Sequence, residues 1–155
     1  MNAKRNQLAY QEAGARNASA IELVIMLYDI LARDLHAAIE AMEAGNIELR
    51  TAKVKHGLLA LQQLEGTLNM DGGGELATNL SRFYSMMRGQ MLKAQIRQDA
   101  ALLRELIQLL FSVREAWVEL SNRLTTASSE AVLAQVSLQS PMDVPELEQS
   151  ARWKA

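Results

Sequence analysis

Residues 18–31, ASAIELVIMLYDIL, decide how this chain folds. Ser19 and Glu22 have the spacing of a capping box, in which each side chain satisfies a free backbone N–H of the first helical turn. A long helix is therefore predicted to begin at Ser19. On a helical wheel its polar and apolar residues fall on opposite stripes, as expected for a helix that lies on a core. The polar stripe holds Glu22, Asp29, Arg33, His36, Glu40 and Glu43, and the core stripe holds Leu23, Val24, Leu27, Leu31, Leu35, Ala38 and Met42.

Ile25 and Met26 interrupt this pattern, because both fall beside the polar stripe. A helix of a simple bundle would carry lysine, glutamate or glutamine at such positions. Similar exceptions occur on the predicted third helix, at Leu92 and Ile96, and on the fourth, at Phe111. These apolar residues and the eight methionines favour a groove for an amphipathic helix of another protein. Alternatively, some of them cover the bundle's own loops or form a contact within a homodimer.

The remaining sequence predicts an all-α fold, an antiparallel up-down-up-down four-helix bundle. Its helices are expected at residues 19–44, 47–69, 75–97 and 100–124. One face of the third helix is apolar, with Leu76, Leu80, Phe83, Met87 and Met91. The fourth helix has the 3-4 spacing of a bundle seam, with Leu103, Leu106, Leu110, Val113, Trp117, Leu120 and Leu124. Gly45 and Asn46 provide a two-residue joint, three consecutive glycines at 72–74 interrupt the chain, and Asp99 caps the fourth helix. Such short joints force neighbouring helices to lie antiparallel.

Residues 1–124 are predicted to form one four-helix-bundle domain. Within it, residues 1–18 are expected to make a short N-terminal helical segment that docks through Leu8 and Tyr10, with a frayed terminus as the alternative. From Thr125 the apolar periodicity lapses, so residues 125–155 are predicted to be a flexible C-terminal tail, with room for one short helix around Ser129–Val136.

Charge is distributed unevenly between the predicted helices. Residues 19–44 contain five acidic residues and one arginine, whereas residues 75–98 contain four basic residues and one glutamate. Since opposite charges attract, we expect the first and third helices to be neighbours.

Composition limits the classes of function. The 155 residues include no cysteine, which removes disulfides, thiolate catalysis and cysteine-based zinc sites. The net charge of −2 offers no electrostatic case for nucleic acid or an anionic membrane. The longest apolar run is about five residues, far short of a membrane span, and the N-terminus lacks the apolar region of a secretory signal. We therefore expect a cytoplasmic protein.

No catalytic motif is present in the sequence. It contains no Glu-x-x-His pair of the kind that holds di-iron in helical bundles, no phosphate-binding loop and no nucleophile elbow. His36 lies on the polar stripe, as a solvated surface histidine would. We therefore predict no enzymatic activity, no cofactor and no metal site.

An alternative function concerns His56, within Lys53-Val54-Lys55-His56-Gly57. Histidine phosphotransfer domains are also four-helix bundles with an exposed helical histidine beside lysine and glycine. In those domains, lysine and small residues follow the histidine by about one turn. Here Leu59 and Ala60 follow it, which argues against this alternative.

Several motifs together resemble the FliS-type flagellin export chaperones. That family has an N-terminal tyrosine, a Thr-Ala-Ser-Pro cap and a Leu-x-x-Met-Leu-Tyr-Asp helix, and this chain has Tyr10, Asn17-Ala18-Ser19-Ala20 and Leu23 with Met26-Leu27-Tyr28-Asp29. Further similar stretches, in the same order, are Ala44-Gly45-Asn46, Leu68-Asn69-Met70-Asp71-Gly72-Gly73, Glu75-Leu76-Ala77 with Asn79-Leu80, and Leu109 with Arg114-Glu115-Ala116-Trp117. The departures are Asn17 and Ala20 in the cap and Ile30 in place of a common glycine.

The resemblance implies a chaperone that binds the disordered C-terminal segment of flagellin, prevents its premature polymerisation and delivers it to the flagellar type III export apparatus. The N-terminal segment would cover part of the client surface, or Tyr10 would contact the export gate. We expect no nucleic-acid or membrane partner and a monomer or weak homodimer. The partner-binding residues predicted from the outward apolar pattern and the resemblance are Leu8, Tyr10, Ile25, Met26, Asp29, Leu92, Ile96 and Phe111.

Overall fold

The computed structural model describes residues 2–138, apart from the side chains at positions 2, 10, 11, 13, 15 and 18. These residues form helices α1 (Asn2–Glu43), α2 (Ile47–Gly66), α3 (Gly74–Arg97) and α4 (Ala100–Leu138). Each helix packs on the next in sequence, and α4 returns to lie beside α1. In the described part of the chain, the diagonal pairs α1–α3 and α2–α4 do not approach closely along their backbones. The predicted all-α four-helix bundle is confirmed.

The joints use the residues expected from the sequence. Gly45 has a φ of +68°, which a residue with a Cβ rarely adopts, and Asn46 accepts the Leu49 N–H at 3.1 Å as the N-cap of α2. The Asp99 carboxylate accepts the Leu102 N–H at 3.0 Å and caps α4. These joints lie at one end of the bundle, the closed end, and the longer α2–α3 loop, residues 67–73, lies at the other, the open end.

The first helix begins at Asn2 and not at Ser19, so the predicted capping box at Ser19 and Glu22 does not form and residues 2–18 are not a separate short segment. The physical reason lies in Ala20. A proline here, as in the related pattern, would lack an N–H and would clash with the carbonyl of residue 16, which favours a helix start. Alanine does neither, and residues 2–18 are rich in alanine, so the helix continues through Ser19.

The fourth helix continues beyond Leu124 to Leu138, so the first half of the predicted flexible tail is helical. Residues 125–138 contain neither glycine nor proline, and loss of apolar periodicity does not itself end a helix. Hydroxyls of Thr125, Thr126 and Ser129 donate to the carbonyls four residues earlier. The rest of the predicted tail, residues 139–155, lies outside the described residues.

Leucine dominates the core, which lies between the four helices. At its centre the hydroxyls of Tyr28 on α1 and Tyr84 on α3 are hydrogen-bonded at 2.9 Å across the diagonal of the bundle. Gly57 lets α2 approach closely, since a Cβ there would lie 3.2 Å from both Leu31 Cδ1 and Met91 Cε. The core is therefore closely packed, with one polar contact at its middle.

The expectation that the first and third helices are neighbours is wrong, because they lie diagonally. Acidic residues of α1 instead pair with α4 and α2. Arg114 donates to Asp29 through Nε at 2.6 Å and Nη2 at 3.2 Å, Arg104 pairs with Glu43, and Asp34 Oδ2 lies 2.6 Å from His56 Nδ1. The basic α3 pairs with α2 through Arg88 and Glu65 at 2.6 Å. Sequence charge alone did not distinguish adjacent from diagonal helices.

Two helical segments project from the open end. Since α1 and α4 are antiparallel, residues 2–20 of α1 and residues 122–138 of α4 leave the body, residues 21–121, at the same end. We call these two segments the arms. No arm side chain that the structure describes is buried, whereas α1 has buried residues from Ile21 onward and α4 from Leu103 to Leu110.

Candidate protein-binding surface

An apolar groove of about 240 Å³ opens at the open end, and we call it the end groove. It lies between the start of the α1 body, the α2–α3 loop, the first turns of α3 and Trp117 on α4. It carries no charged side chain. Its lining residues are Ala20, Ile21, Leu23, Val24, Thr67, Leu68, Asn69, Gly73, Leu76, Ala77, Leu80 and Trp117. Such a site can take apolar side chains from another segment.

The α2–α3 loop forms one wall of the end groove, and Asn69 organises this loop. Its side chain accepts the Gly72 N–H at 2.9 Å, and its carbonyl accepts the Gly73 N–H at 2.7 Å. A Cβ on Gly73 would lie 2.4 Å from the Asn69 carbonyl oxygen, so this position requires glycine. Gly74 has a φ of +57°. The Asn-Met-Asp-Gly-Gly-Gly stretch therefore has a conformational function beside the groove.

Trp117 connects the end groove to the core. Burial raises the pKa of Tyr28 and that of Tyr84, and the hydrogen bond between the two hydroxyls offsets part of the rise for Tyr28. The two phenols therefore stay neutral at physiological pH. Trp117 packs against the buried core and also lines the groove, so the core and the groove wall share one side chain.

Of the predicted partner-binding residues whose side chains the structure describes, none lines the end groove. Several residues assigned to the core do line it, and two of them are exposed: Leu23, which is 45% exposed, and Leu76, which is 61% exposed. Leu120, also on a predicted core seam, is exposed at the same end. These three leucines have the spacing of core residues but lie at the end of the bundle, where the neighbouring helices do not cover them. Their position near the ends of the predicted helices is the sequence signal that could have located the groove.

A second apolar surface lies on the outer side of α1 and α4. Met26 is half exposed and Ile25 half-buried, one turn before Asp29. The Asp29–Arg114 pair fixes the adjacent part of α4, where Phe111 lies one turn before Arg114 and is exposed. Hydrogen bonding to Asp29 raises the pKa of Arg114, so the guanidinium stays charged. Four predicted residues are thus on neighbouring helices.

Leu92 and Ile96 belong to a third location. Both are exposed on α3 near the closed end, and α3 does not pack on α1. They therefore do not join the surface around Met26. Leu8 is exposed on the α1 arm. The Tyr10 side chain lies outside the described part of the structure, although its backbone is in α1.

The two histidines occupy exposed positions on α1 and α2. His36 borders a cavity of about 390 Å³ between α1 and α4, together with Glu40 and Arg104. His56 Nδ1 lies 2.6 Å from Asp34 Oδ2, and this contact joins α2 to α1.

Within residues 2–138, no three histidine, aspartate or glutamate side chains lie close enough together to form a metal site. No described helix combines the length and apolarity needed to cross a membrane.

The chain is similar to a known protein family and to several of its members. The model of the family described as flagellar protein FliS matches residues 1–124. The flagellar secretion chaperone FliS of Salmonella typhimurium is 30% identical over 119 residues, which cover 76% of this chain and 88% of that protein. FliS of Campylobacter jejuni is 32% identical over 127 residues, covering 79% and 98%, and FliS of Bacillus subtilis is 28% identical over 109 residues, covering 70% and 80%. The resemblance seen in the sequence is confirmed: this chain belongs to the FliS family of flagellar proteins.

Proposed function

We propose that this protein is a flagellar export chaperone that binds the disordered C-terminal segment of flagellin, prevents its premature polymerisation and delivers it to the flagellar type III export apparatus. The observation that carries the proposal is the family match over residues 1–124, which includes the whole four-helix body. Relatives that match most of this chain are flagellar secretion chaperones. Family membership also favours this function over phosphotransfer at His56.

The surface supports binding to an unfolded chain. Three separate apolar areas stay exposed on a closely packed body: the end groove, the α1–α4 surface around Met26 and the α3 surface around Ile96. A disordered segment can wrap several such areas and bury a large total surface, at the cost of its own ordering. This function requires binding and release without a chemical step.

We propose that the protein acts in the cytoplasm, where the client is made, as a monomer or weak homodimer. The export gate is proposed as a second partner, contacted through Tyr10. A chaperone that hands over its client needs a second contact of this kind, and the α1 arm projects from the body, where another protein can reach it.

Client contacts are proposed at the predicted residues and at the end groove. Ile25, Met26 and Phe111 would hold one helix of the client, Leu92 and Ile96 a second part, and Leu23, Leu76 and Trp117 an apolar anchor. Asp29 already accepts both hydrogen bonds from Arg114, so its proposed role is to keep α1 and α4 in register beside Met26. Leu8 would extend the contact along the arm.

Co-purification tests the function most directly. The chain is expected to retain full-length flagellin and to lose it when the C-terminal segment of flagellin is deleted. Calorimetry with the isolated C-terminal segment should show saturable binding with a fixed stoichiometry, such as one segment per chaperone. Equal binding to flagellin with and without that segment contradicts the proposal.

Met26→Glu tests the α1–α4 surface. A charge placed in an apolar contact should weaken binding of the flagellin segment by about 1–2 kcal/mol or more. The melting temperature should hardly move, since Met26 is 50% exposed. Leu133→Glu is the matched control, because Leu133 is also an exposed apolar helical residue but lies on the α4 arm. Equal loss of affinity in both variants argues against a specific contact at Met26.

A further inference from the structure

We propose that two copies of this chain associate through their arms, with the arms of one copy lying antiparallel on the arms of the other. Each copy supplies two helices, α1 and α4, so the paired arms form a second four-helix bundle. The inference concerns self-association of this chain and does not depend on flagellin binding. Its central contact lies in residues 125–138, beyond the family match, which ends at residue 124.

The buried seam of α4 continues into its arm, where neither α2 nor α3 covers it. Leu103, Leu106 and Leu110 are buried in the body, and their 3-4 spacing continues along the helix to Leu138. Because α2 ends at Gly66 and α3 begins at Gly74, these two helices do not reach the arms. The members of this arm seam are Leu124, Ala127, Ala131, Ala134 and Leu138, and all except the half-buried Leu124 are exposed.

The α1 arm lies beside the α4 arm, so the two arms present a common face. Continuing the register of the Asp29–Arg114 pair along these antiparallel helices places Gln7 beside Gln135. Both glutamines are half-buried, whereas most described arm side chains are exposed. The arms therefore stay in contact near their tips, and a partner for this face needs two helices of similar length.

The body allows a second copy to supply those helices in one direction. In the body, α2 and α3 pack on α1 and α4, so these layers would hold the arms of two parallel copies apart. Antiparallel arms avoid this, because each pair then lies in line with α2 and α3 of the other copy. Residues 122–138 span about 25 Å and residues 2–20 about 28 Å, so overlapping arms bring each tip to the open end of the other body.

The end groove fits the tip of the α4 arm of the second copy. An arm in line with α3 must end where α3 begins, and the first turns of α3 form one wall of the groove. Leu138, the last residue of the arm seam, is 85% exposed in a single copy. The groove carries no charged side chain, and its apolar lining includes Leu76 and Trp117. Leu138 can therefore be buried there.

Charge favours the same arrangement. Lys4 and Arg5 are exposed at the tip of the α1 arm, and no ion pair among the described residues includes them. In the antiparallel dimer this tip lies in line with α2 and meets its C-terminal end at Gly66, where the helix dipole is negative. Between the two α4 arms little charge opposes contact, because residues 124–138 contain one charged residue, Glu130.

The contact area implies a weak, reversible dimer. A face of two helices, each about 10 Å wide and about 25 Å long, buries about 500 Å² on each copy. That area is at the low end of specific protein interfaces. Dilute protein is therefore monomeric, and the dimer forms as the concentration rises.

A symmetric disulfide tests the register. A two-fold axis that brings Leu124 beside Leu138 of the second copy passes near Ala131, so this residue meets its own copy. Since the chain has no cysteine, Ala131→Cys introduces a single thiol. Under mild oxidation the full-length variant should form covalent dimers about tenfold faster than Leu133→Cys, because association raises the effective thiol concentration. Leu133 is the matched control, an exposed residue on the opposite face of the same arm. Equal rates overturn the proposal.

Charged variants test the contact without a covalent bond. In sedimentation equilibrium, Ala131→Glu should weaken dimerisation at least about tenfold, whereas Leu133→Glu should not, and circular dichroism should show both folded. Mixing Ala131→Glu with Ala131→Lys should restore the dimer, since position 131 meets itself across the axis. A protein that stays monomeric at high concentration, or a dimer that withstands Ala131→Glu, contradicts the proposal. So does a compact dimer in small-angle scattering, because paired arms hold the two bodies apart.

Discussion

The body and the arms are continuous helices built on different principles. In the body, leucines of α1 and α4 are buried by α2 and α3, and side chains such as Leu31, Leu35 and Leu106 are almost fully enclosed. In the arms the same two helices continue with alanine, serine and threonine, and no described side chain is buried. Helix α4 thus changes its source of stability along its length without a break in its backbone.

This difference shows that helical structure and helical stability are separate properties. Most of the stability of a helix in a protein comes from tertiary packing of one of its faces. The body has that packing, whereas no described side chain of the arms is buried, so the arms rely mainly on helix propensity. The following predictions test whether this boundary, near residues 20 and 121, is also an energetic boundary.

The largest expected effect is from Leu106→Ala in the body. Leu106 is 1% exposed, so its truncation leaves a cavity and should lower the free energy of unfolding by about 2–5 kcal/mol. Leu133→Ala in the α4 arm removes the same atoms from an exposed side chain and should change stability by less than about 0.5 kcal/mol. Denaturant titration followed by circular dichroism measures both. Similar losses would show that the arm is packed in solution.

Gly73→Ala should have the next largest effect, at the open end of the body. Its Cβ would lie 2.4 Å from the Asn69 carbonyl oxygen and 2.6 Å from Ala77 Cβ, so the loop must shift, at a cost of about 1–3 kcal/mol. Gly66→Ala is the matched control, since a Cβ there meets nothing within 4 Å and alanine favours helix. Thermal unfolding should show a lower midpoint for the first variant only.

Tyr84→Phe should cost about 1–2 kcal/mol, because it leaves the buried Tyr28 hydroxyl without its partner. The double variant Tyr28→Phe/Tyr84→Phe should cost less than the sum of the two single variants. A double-mutant cycle by urea unfolding measures the coupling. Strict additivity would mean that the two hydroxyls do not interact in solution.

The same pair predicts a dependence on alkaline pH. Burial raises the pKa of both phenols above the ordinary value of about 10, so the folded state holds these protons more tightly than the unfolded chain. The associated stability is fully present below pH 10 and is lost as the pH rises above it. Unfolding titrations from pH 8 to 11 should therefore show a decline that is smaller in Tyr28→Phe/Tyr84→Phe. An equal decline in both proteins would assign it to other groups.

Hydrogen exchange is the most local measurement, and it reports the smallest free-energy difference, that of local helix opening. Amide protons of residues 125–138 should exchange through local opening, faster than those of residues 103–110 by orders of magnitude. Deleting residues 125–155 should leave the exchange of the body unchanged. Slower exchange in the body of the full chain would mean that the arm or the residues after it stabilise the core.

Much of the bundle could be predicted from local sequence because its determinants are local. Asn46 and Asp99 cap helices within three residues of themselves, and Gly45 ends α1 through its own φ. The 3-4 spacing of Leu103, Leu106 and Leu110 indicated burial, and all three are buried. Such features depend on the chain within one or two turns.

What could not be predicted depends on which helices meet. The basic α3 was expected beside the acidic α1, but the diagonal arrangement of these two helices follows from the packing of all four. The burial of Leu23 and Leu76 was expected from their spacing, but each lies where the bundle ends. The sequence predicts a helix start at Ser19 because a capping signal depends only on neighbouring residues. The cap does not form because Ala20, unlike a proline, lets the helix continue towards the N-terminus.

The distance in sequence between ion-paired residues has a consequence for the order of folding. Asp34 and His56 are 22 residues apart, across the short joint of α1 and α2, whereas Asp29 and Arg114 are 85 residues apart. Closing the longer loop costs more chain entropy, so the α1–α2 hairpin is expected to form early and the docking of α4 to complete the fold. During synthesis from the N-terminus, the hairpin can form before α4 leaves the ribosome. Until then Leu31 and Leu35 are covered on one side only, and the nascent chain itself exposes the kind of apolar surface that a chaperone recognises.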